Sequence, residues 1–392
     1  MDLFFTVRQY VLDELDSMVA AGELPSDLDM TGVTVEPPRD PLHGDMATNA
    51  AMVLAKAAKK NPREIAEKLA KRLASLDIVD NSEVAGPGFL NLRINVKVWQ
   101  SIFSKVLELG NSYGRTGLGN NSRVNVEFVS ANPTGPLHVG HTRGAVFGDA
   151  LSRLLSFAGY DVTREYYIND GGSQVDTLAR SVYLRYLEAH GKDVAFEDGT
   201  YPGDYLIPVG QALKDKVGSD YIDKAEHYWL DDVRQFATDA MMSLIKEDLA
   251  SLGIEMDNFF SEKSLYGVGK IEESIENLKS KNLIYEGVLD PPKGKKVEDW
   301  EPRVQTLFKS TLHGDDVDRP IKKSDGAWTY FAPDIAYHFD KVDRKFDQLI
   351  DVFGADHGGY VKRMKAAVSA LSNDEVKFDI KLTQLVKLFK NG

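Results

Sequence analysis

His138 and His141 stand three residues apart in the stretch SANPTGPLHVGHTRG, Ser130 to Gly144, with Gly140 between them. Two imidazoles at a helix entry can donate hydrogen bonds to the charge that builds on a phosphoryl group during in-line displacement. Pro133, Gly135 and Pro136 fix an irregular loop ahead of them, and Gly140 lets a ligand approach backbone that a side chain would cover. The helix that follows brings unpaired N–H groups and a partial positive charge at its N-terminus, both suited to phosphate. A helix entry with two incidental histidines is the plainer alternative, and H-x-G-H spacing alone does not separate the two. Position favours the nucleotide reading, because the stretch joins the first strand of a βα alternation to its first helix. Competing signatures are missing from the 392 residues: no G-x-x-x-x-G-K-[ST], no G-x-G-x-x-G after a strand, and no H-E-x-x-H for a metal.

The elements that must hold this loop follow from hydrophobic periodicity. RVNVEFV reads as a strand, and GAVFGDALSRLLSFAG as a helix with Val146, Ala150, Leu151, Leu154 and Leu155 on one face. DVTREYYI is the next strand, NDGGSQ a loop and VDTLARSVYLRYL a helix. This βαβα order predicts an α/β fold with a doubly wound parallel sheet. Residues from about 190 to 300 read as a mainly helical insertion. Alternation of strand and helix then resumes through GAWTYFA, DIAYHFDKV, FDQLIDVFG, GYVKRMKAAVSAL and KFDIKLTQLVKLF, so one sheet is split by a long insertion.

Residues 1–112 read as a separate small α/β domain. Phe4, Val7, Val11, Leu15 and Met18 recur at helical spacing. Asn61-Pro62-Arg63-Glu64 offers an N-cap, a proline at the first helical position and a capping-box acid. GPGFLNLRINV alternates as a strand, and KVWQSIFSKVLELG is a helix leading to the Gly- and Asn-rich joint GNSYGRTGLGNNS. The second domain is expected to run from 122 to 392.

Composition narrows the function classes. The formal net charge of −13 argues against a protein that coats nucleic acid non-specifically, but leaves room for a local basic patch. The absence of cysteine excludes disulfides and thiolate metal sites and fits a cytoplasmic location. The N-terminal stretch is charged and amphipathic, unlike a signal peptide, and no apolar run is long enough to span a bilayer.

EFVSANPTGPLHVGHTRGAVFGDALSRLL closely resembles the HIGH region of class I aminoacyl-tRNA synthetases, and specifically of the arginyl-tRNA synthetase family. REYYINDGGSQVDTLARS, YPGDYLIPVGQAL, SDGAWTYFAPDIAYHFDK and DVFGADHGGYVKRMKAA resemble further blocks of that family, and PPRDPLHGDMATNAAMVLAKAAKKNPREIAEKL with VAGPGFLNLRI resembles its additional N-terminal domain. The resemblance covers essentially the whole chain and implies a Rossmann-like class I catalytic domain.

It also implies roles. His138 and His141 match the histidines that stabilise the ATP phosphates, with Gly140, Gly354, Asp356 and His357 in the ATP site. Glu127, Ser130, Asn132, His141, Tyr330, Asp334 and Asp356 match the arginine site. A guanidinium needs an acceptor-only carboxylate, which suits Asp334, although an acid in the first turn of a helix is also favoured by the dipole. His338, one turn on, either orients Asp334 or lies at the surface. Lys56, Lys59, Lys60 and Arg63 match the face that touches tRNA, while a solvated helix face would look the same.

The implied partners are L-arginine, ATP with Mg2+ as a substrate complex, and arginine tRNA, with no structural metal, no membrane and a monomeric state. No K-M-S-K-like second signature occurs in the 392 residues, and the family's helical anticodon-binding domain is not found either. The expectation is therefore an incomplete arginine–tRNA ligase that binds arginine but is catalytically impaired. Another H-x-G-H enzyme, such as a nucleotidylyltransferase or a different synthetase, and a non-catalytic RNA- or amino-acid-binding module are the alternatives.

Overall fold

The computed structural model describes residues 2–289, 303–323, 325–386 and 389. The chain divides into two compact units, Met1–Arg115 and Thr116–Gly392.

In the first unit, α1 (Leu3–Ala20) is capped by the Asp2 carboxylate, which accepts from the Phe4 and Phe5 N–H groups. Its buried stripe is Leu3, Val7, Val11, Leu15 and Met18; Phe4, expected on that stripe, is only partly buried. The remaining elements are β1 (Val35–Glu36), β2 (Met46–Thr48), α2 (Ala50–Ala58), α3 (Pro62–Leu73), β3 (Val79–Ala85), β4 (Phe89–Ile94) and α4 (Val96–Leu109). The strands form an antiparallel sheet in the order β1-β2-β4-β3. Asn61 caps α3 through the Arg63 N–H at 2.9 Å. Glu64 does not complete a capping box and instead lies 3.8 Å from Lys68, where a long flexible acid reaches the next turn.

The second unit opens with β5 (Arg123–Glu127), α5 (Val139–Phe157), β6 (Asp161–Ile168), α6 (Ser173–Ala189), α7 (Ile207–Val217), α8 (Leu230–Ser251) and β7 (Asn258–Ser261). It continues with α9 (Lys270–Ser280), β8 (Ile284–Gly287), β9 (Gln305–Phe308), β10 (Arg319–Lys322), α10 (Phe331–Asp343), β11 (Gln348–Gly354), α11 (Val361–Ser372) and β12 (Lys377–Thr383). Five of these strands form a parallel sheet in the order β12-β11-β5-β6-β7. The chain winds outward from β5 to β7, then returns to β11 beside β5 and winds outward again. The switch point therefore lies between β5 and β11, where doubly wound sheets open a crevice for ligands.

Three expectations need correction. The stretch from 190 to 300 is not one insertion, because β7 lies inside it and pairs with β6 as the sheet's edge. Ahead of β7, α7 and α8 pack with α6 around Leu178, Tyr186, Leu206 and Trp229 as the helical part, and α9 follows the strand. Before the sheet resumes, β8, β9 and β10 form a separate antiparallel sheet; residues 290–302 lie outside the described residues. GAWTYFA is not a strand: Trp328 makes one isolated bridge to Lys322, and Phe331 already belongs to α10, whose first turn holds Pro333 and Asp334. Finally, α5 turns Ala145, Gly148 and Ser152 to the core, leaving Val146 and Leu154 exposed and Leu151 and Leu155 partly buried. Close packing decides this, since a Cβ on Gly148 would lie 2.2 Å from the Phe128 ring. Small residues, rather than large apolar ones, let the helix approach β5.

Candidate active site

The site begins where β5 ends. Val129 and Ser130 both adopt positive φ, 71° and 41°, a left-handed turn that a β-branched residue strongly resists. The turn is held by what surrounds it. Ser130 Oγ donates to Glu127 Oε1 at 2.9 Å and accepts from the Tyr167 N–H at 3.1 Å. Three long-range hydrogen bonds then fix the loop: Tyr166 Oη donates to the Ala131 carbonyl and Tyr205 Oη to the Thr134 carbonyl, each at 2.7 Å, and the Leu137 N–H donates to Asp248 at 3.0 Å.

The loop delivers His138 as the N-cap of α5. Its Nδ1 accepts from the Gly140 N–H at 3.1 Å, and its own N–H donates to His141 Nδ1 at 3.3 Å. The rings stack with centroids 3.8 Å apart. Because both Nδ1 atoms act as acceptors, the ring protons sit on Nε2, so both histidines present an N–H donor while neutral. Burial, with His138 adding to it, lowers the pKa of His141 and favours that neutral form. Gly140 serves this arrangement: a Cβ there would lie 2.9 Å from His138 Cε1. The missing Cβ thus also leaves room for the capping imidazole.

Beneath the turn lies a row of acids. Strand register aligns Asp351 of β11 with Glu127 of β5, and Glu127 with Glu165 of β6. Helix α10 lays cations against them. Lys341, wholly buried, contacts Glu127 Oε2 at 2.6 Å and Asp351 Oδ1 at 3.0 Å. Arg344 grips Glu165 bidentately at 2.6 and 2.7 Å, with Tyr337 Oη donating to the same carboxylate at 2.8 Å. Burial opposes the Glu165 charge, but Arg344 and Lys341 outweigh it and hold the carboxyl down to about 2. Burial pushes the Glu127 carboxyl up, with Lys341 opposing. A buried charge is tolerable only when paired in this way.

Beside α10 opens a cavity of about 600 Å³, walled in part by Tyr167, Glu262, Tyr266, Tyr330, Asp334 and His357. Among the described residues, no lysine or arginine lines it. The half-buried Asp334 carboxylate has no hydrogen-bond partner among the described residues, and Glu262 accepts from Tyr266 Oη at 2.9 Å, with the Tyr167 hydroxyl and the Gly171 N–H also directed at it. Burial pushes Asp334 up to about 7; His338 opposes the shift, while Glu262 and Glu127 add to it. Burial likewise raises Glu262. Two carboxylates in a partly desolvated cavity without a counter-cation form a receptor for a cationic group.

Of the expected site residues, Glu127, Ser130, Tyr330, Asp334, Gly354 and His357 line this one cavity. Glu127 is there as wall, its oxygens engaged by Lys341 and Ser130. His138, Gly140, His141, Asn132 and Asp356 do not line it. Asn132 donates to Gln174, which does, at 2.8 Å, and Asp356 lies 3.5 Å from His357. His338 is buried rather than superficial, and it bonds the Asp334 carbonyl, not its carboxylate. In the first unit, Lys60 donates to the Glu23 carbonyl at 2.7 Å and Arg63 pairs with Glu67 at 3.3 Å. Lys56 and Lys59 are exposed, with no side-chain partner among the described residues.

Residues 6–94 match the family model for the arginyl tRNA synthetase N-terminal domain, and residues 103–198 that for the class I (R) tRNA synthetase catalytic domain. The arginine–tRNA ligase of Roseobacter denitrificans is 72% identical over all 392 residues, which span 68% of its length. That of a Ruegeria species is 70% identical with the same coverage. The chain belongs to the arginyl-tRNA synthetase family. Arginyl-tRNA synthetases are ligases, and the fold agrees: the Thermus thermophilus arginyl-tRNA synthetase superposes with a TM-score of 0.63 at 20% identity, over 98% of this chain and 66% of that one.

Within this family framework, the residues that sequence reading missed are Glu165, Asp351, Glu262, Lys341, Arg344 and Tyr337. A signal for two of them was present: Glu165 and Asp351, like the expected Glu127, are acids inside the mainly apolar strands REYYI, LIDVF and VNVEF. A charge inside a buried strand demands a partner. Nothing in the sequence says that α10 supplies it.

Proposed function

We propose that this chain takes part in activating L-arginine with ATP and transferring it to arginine tRNA. The observation that carries the reading is the Asp334 carboxylate, which among the described residues has no hydrogen-bond partner and faces with Glu262 into a cavity lined by no lysine or arginine. A planar guanidinium with several N–H donors satisfies both acids, and its cation supplies the missing charge. Tyr330, at the rim and 84% exposed, would close over it.

In the first step an arginine carboxylate oxygen attacks the α-phosphorus, the bond to the bridging oxygen of pyrophosphate breaks, and arginyl-adenylate forms. The Nε2–H groups of His138 and His141 donate to the phosphate charge that develops in flight. Magnesium enters with ATP as part of the substrate. In the second step the terminal ribose hydroxyl of the tRNA attacks the activated carbonyl carbon and AMP leaves. Ser130 and Asn132 serve the amino acid's α-end, Gly140, Gly354, Asp356 and His357 the nucleotide, and Lys56, Lys59, Lys60 and Arg63 the tRNA, with Lys56 and Lys59 lacking a side-chain partner among the described residues. The protein's contribution is positioning and charge, with no covalent enzyme intermediate. We assign it a monomeric, cytoplasmic role.

Titration calorimetry of the 392-residue chain with L-arginine and with L-citrulline tests the reading. Citrulline has nearly the same shape without the charge, so arginine binding at least ~100-fold tighter is expected. Equal affinity for the two would refute the carboxylate clamp. Arginine-dependent ATP–pyrophosphate exchange in the presence of tRNA separates this reaction from that of another H-x-G-H enzyme.

A further inference from the structure

His338 sits one turn after Asp334 in α10 and is 3% exposed. Its two ring nitrogens each face an oxygen: Nδ1 lies 2.9 Å from the Asp334 main-chain carbonyl, and Nε2 lies 2.9 Å from Asp351 Oδ2. A carbonyl and an ionised carboxylate can only accept, and a neutral imidazole has one N–H to give. Both bonds therefore require either an imidazolium or a protonated Asp351. The surroundings exclude the second. Asp351 also accepts from Lys341 Nζ at 3.0 Å, and although burial works against its charge, Lys341 and His338 hold it below the ordinary carboxylate range. With His338 charged, the cluster of Glu127, Asp351, Lys341 and His338 holds two charges of each sign and sums to zero.

The groups facing His338 come from four elements. Its own helix brings Asp334, Tyr337 and Lys341; β11 brings Asp351; β5 brings Glu127; and β12 presents the ring of Phe378. Asp334, in turn, feels Glu262, Glu127 and Asp351 as like charges and His338 as the neighbouring cation.

We propose that His338 is a positioning residue: it remains an imidazolium, pins the Asp334 carbonyl in the first turn of α10, and keeps the adjoining carboxylate an anion for a guanidinium. This rests on the reading of the cavity as an arginine site. Its consequence is specific. His338→Gln retains a donor for one of the two oxygens but removes the charge, so Asp334 takes up a proton more readily. Arginine binding should then weaken near neutrality and recover at higher pH. A side chain that merely filled space would, when replaced, weaken binding equally at every pH.

Two measurements on the 392-residue chain test this. Nitrogen-15 NMR of histidine-labelled wild-type protein should show one imidazole with both ring nitrogens protonated in the folded protein. Its assignment comes from its disappearance in His338→Gln or, where that variant does not fold, from its conversion to the neutral pattern in Asp351→Asn. A neutral pattern at His338 in the wild type would overturn the proposal. Calorimetry with L-arginine should show His338→Gln binding about 10-fold more weakly near pH 7, a difference of about 1.4 kcal/mol, and converging on wild type near pH 9. A loss that does not change with pH, or no loss, would also overturn it. Wild-type protein that binds no arginine yet keeps the imidazolium pattern would refute the cavity reading. Arginine binding beside a neutral His338 would refute this inference alone.

Discussion

In the first turn of α10, Asp334 offers a carboxylate with no hydrogen-bond partner among the described residues; in the first turn of α5, His138 and His141 satisfy each other and the helix N-terminus. The α5 site is local. Residues three apart cap one helix, stack, and point two Nε2–H groups outward, so the whole device is written in a few consecutive letters. The α10 site is assembled from afar: Asp334 and Glu262 are held apart from water by a wall whose own acids are paired, Glu127 and Asp351 with the shared Lys341 and Glu165 with Arg344. Recognising an anion takes backbone N–H groups and donors that any helix start can supply. Recognising a cation takes carboxylates kept charged in a partly dry place, and that requires a buried electrostatic framework.

Breaking the framework should have the largest effect. Lys341→Met leaves Glu127 and Asp351 buried without their shared cation, a loss expected at about 3–5 kcal/mol and measurable by denaturant unfolding. A loss below ~1 kcal/mol would mean that the acid row is not held by Lys341. Next is Asp334→Asn, which should weaken arginine binding by about 100-fold, about 2.8 kcal/mol, while stability stays level or rises. Stability should not fall, because the variant removes an unpaired acid from among like charges.

The same residue gives the contrast a pH dependence. The folded-state value of Asp334, about 7, is raised above the ordinary 3.8, so folding favours its protonated form. Its contribution to stability is full below the ordinary value and is lost as pH rises through about 7. Arginine reverses the preference, since it binds the anion. Affinity should climb as pH rises toward that value, by up to tenfold per unit, with one proton released on binding. Calorimetry in buffers of different ionisation enthalpy counts that proton, and Asp334→Asn should abolish its release.

At the α5 site the effects are smaller, in keeping with its local construction. His138→Ala should cost about 1 kcal/mol through the lost cap, read as a shift of the unfolding midpoint. No shift would show that the imidazole does not cap the helix in solution. The smallest effect is expected in the first unit. Lys56→Glu with Lys59→Glu should leave the unfolding midpoint unchanged and weaken tRNA binding with a reduced salt dependence. Lys60→Glu, which breaks the bond to the Glu23 carbonyl, should instead lower stability.

Much of this was legible in the letters because it is local. The α1 stripe, the Asn61 cap, the βαβα order and the His138–His141 pair all depend on residues within a few positions of one another. The errors have a common origin in packing. The α5 face was misread because Gly148, not a large side chain, is what fits against Phe128. Strand β7 was lost inside an apparent insertion because its four residues carry no period long enough to read, and its place is fixed by pairing with β6. His338, read as either an orienting or a surface residue, proved to be the junction between Asp334 and Asp351.

The sequence by itself determined the kind of protein: the doubly wound order, the helix entry with two histidines, and the blocks that place the chain in the arginyl-tRNA synthetase family. Tertiary structure alone decided which acids are free. Glu127 and Asp334 are equally acidic as letters, but the packing of α10 on the sheet brings Lys341 onto Glu127 and leaves Asp334 facing the cavity with no cation among the described residues. Charge is a property of a residue, whereas its neutralisation depends on distance, and distance across a sheet is set by pairing rather than by sequence.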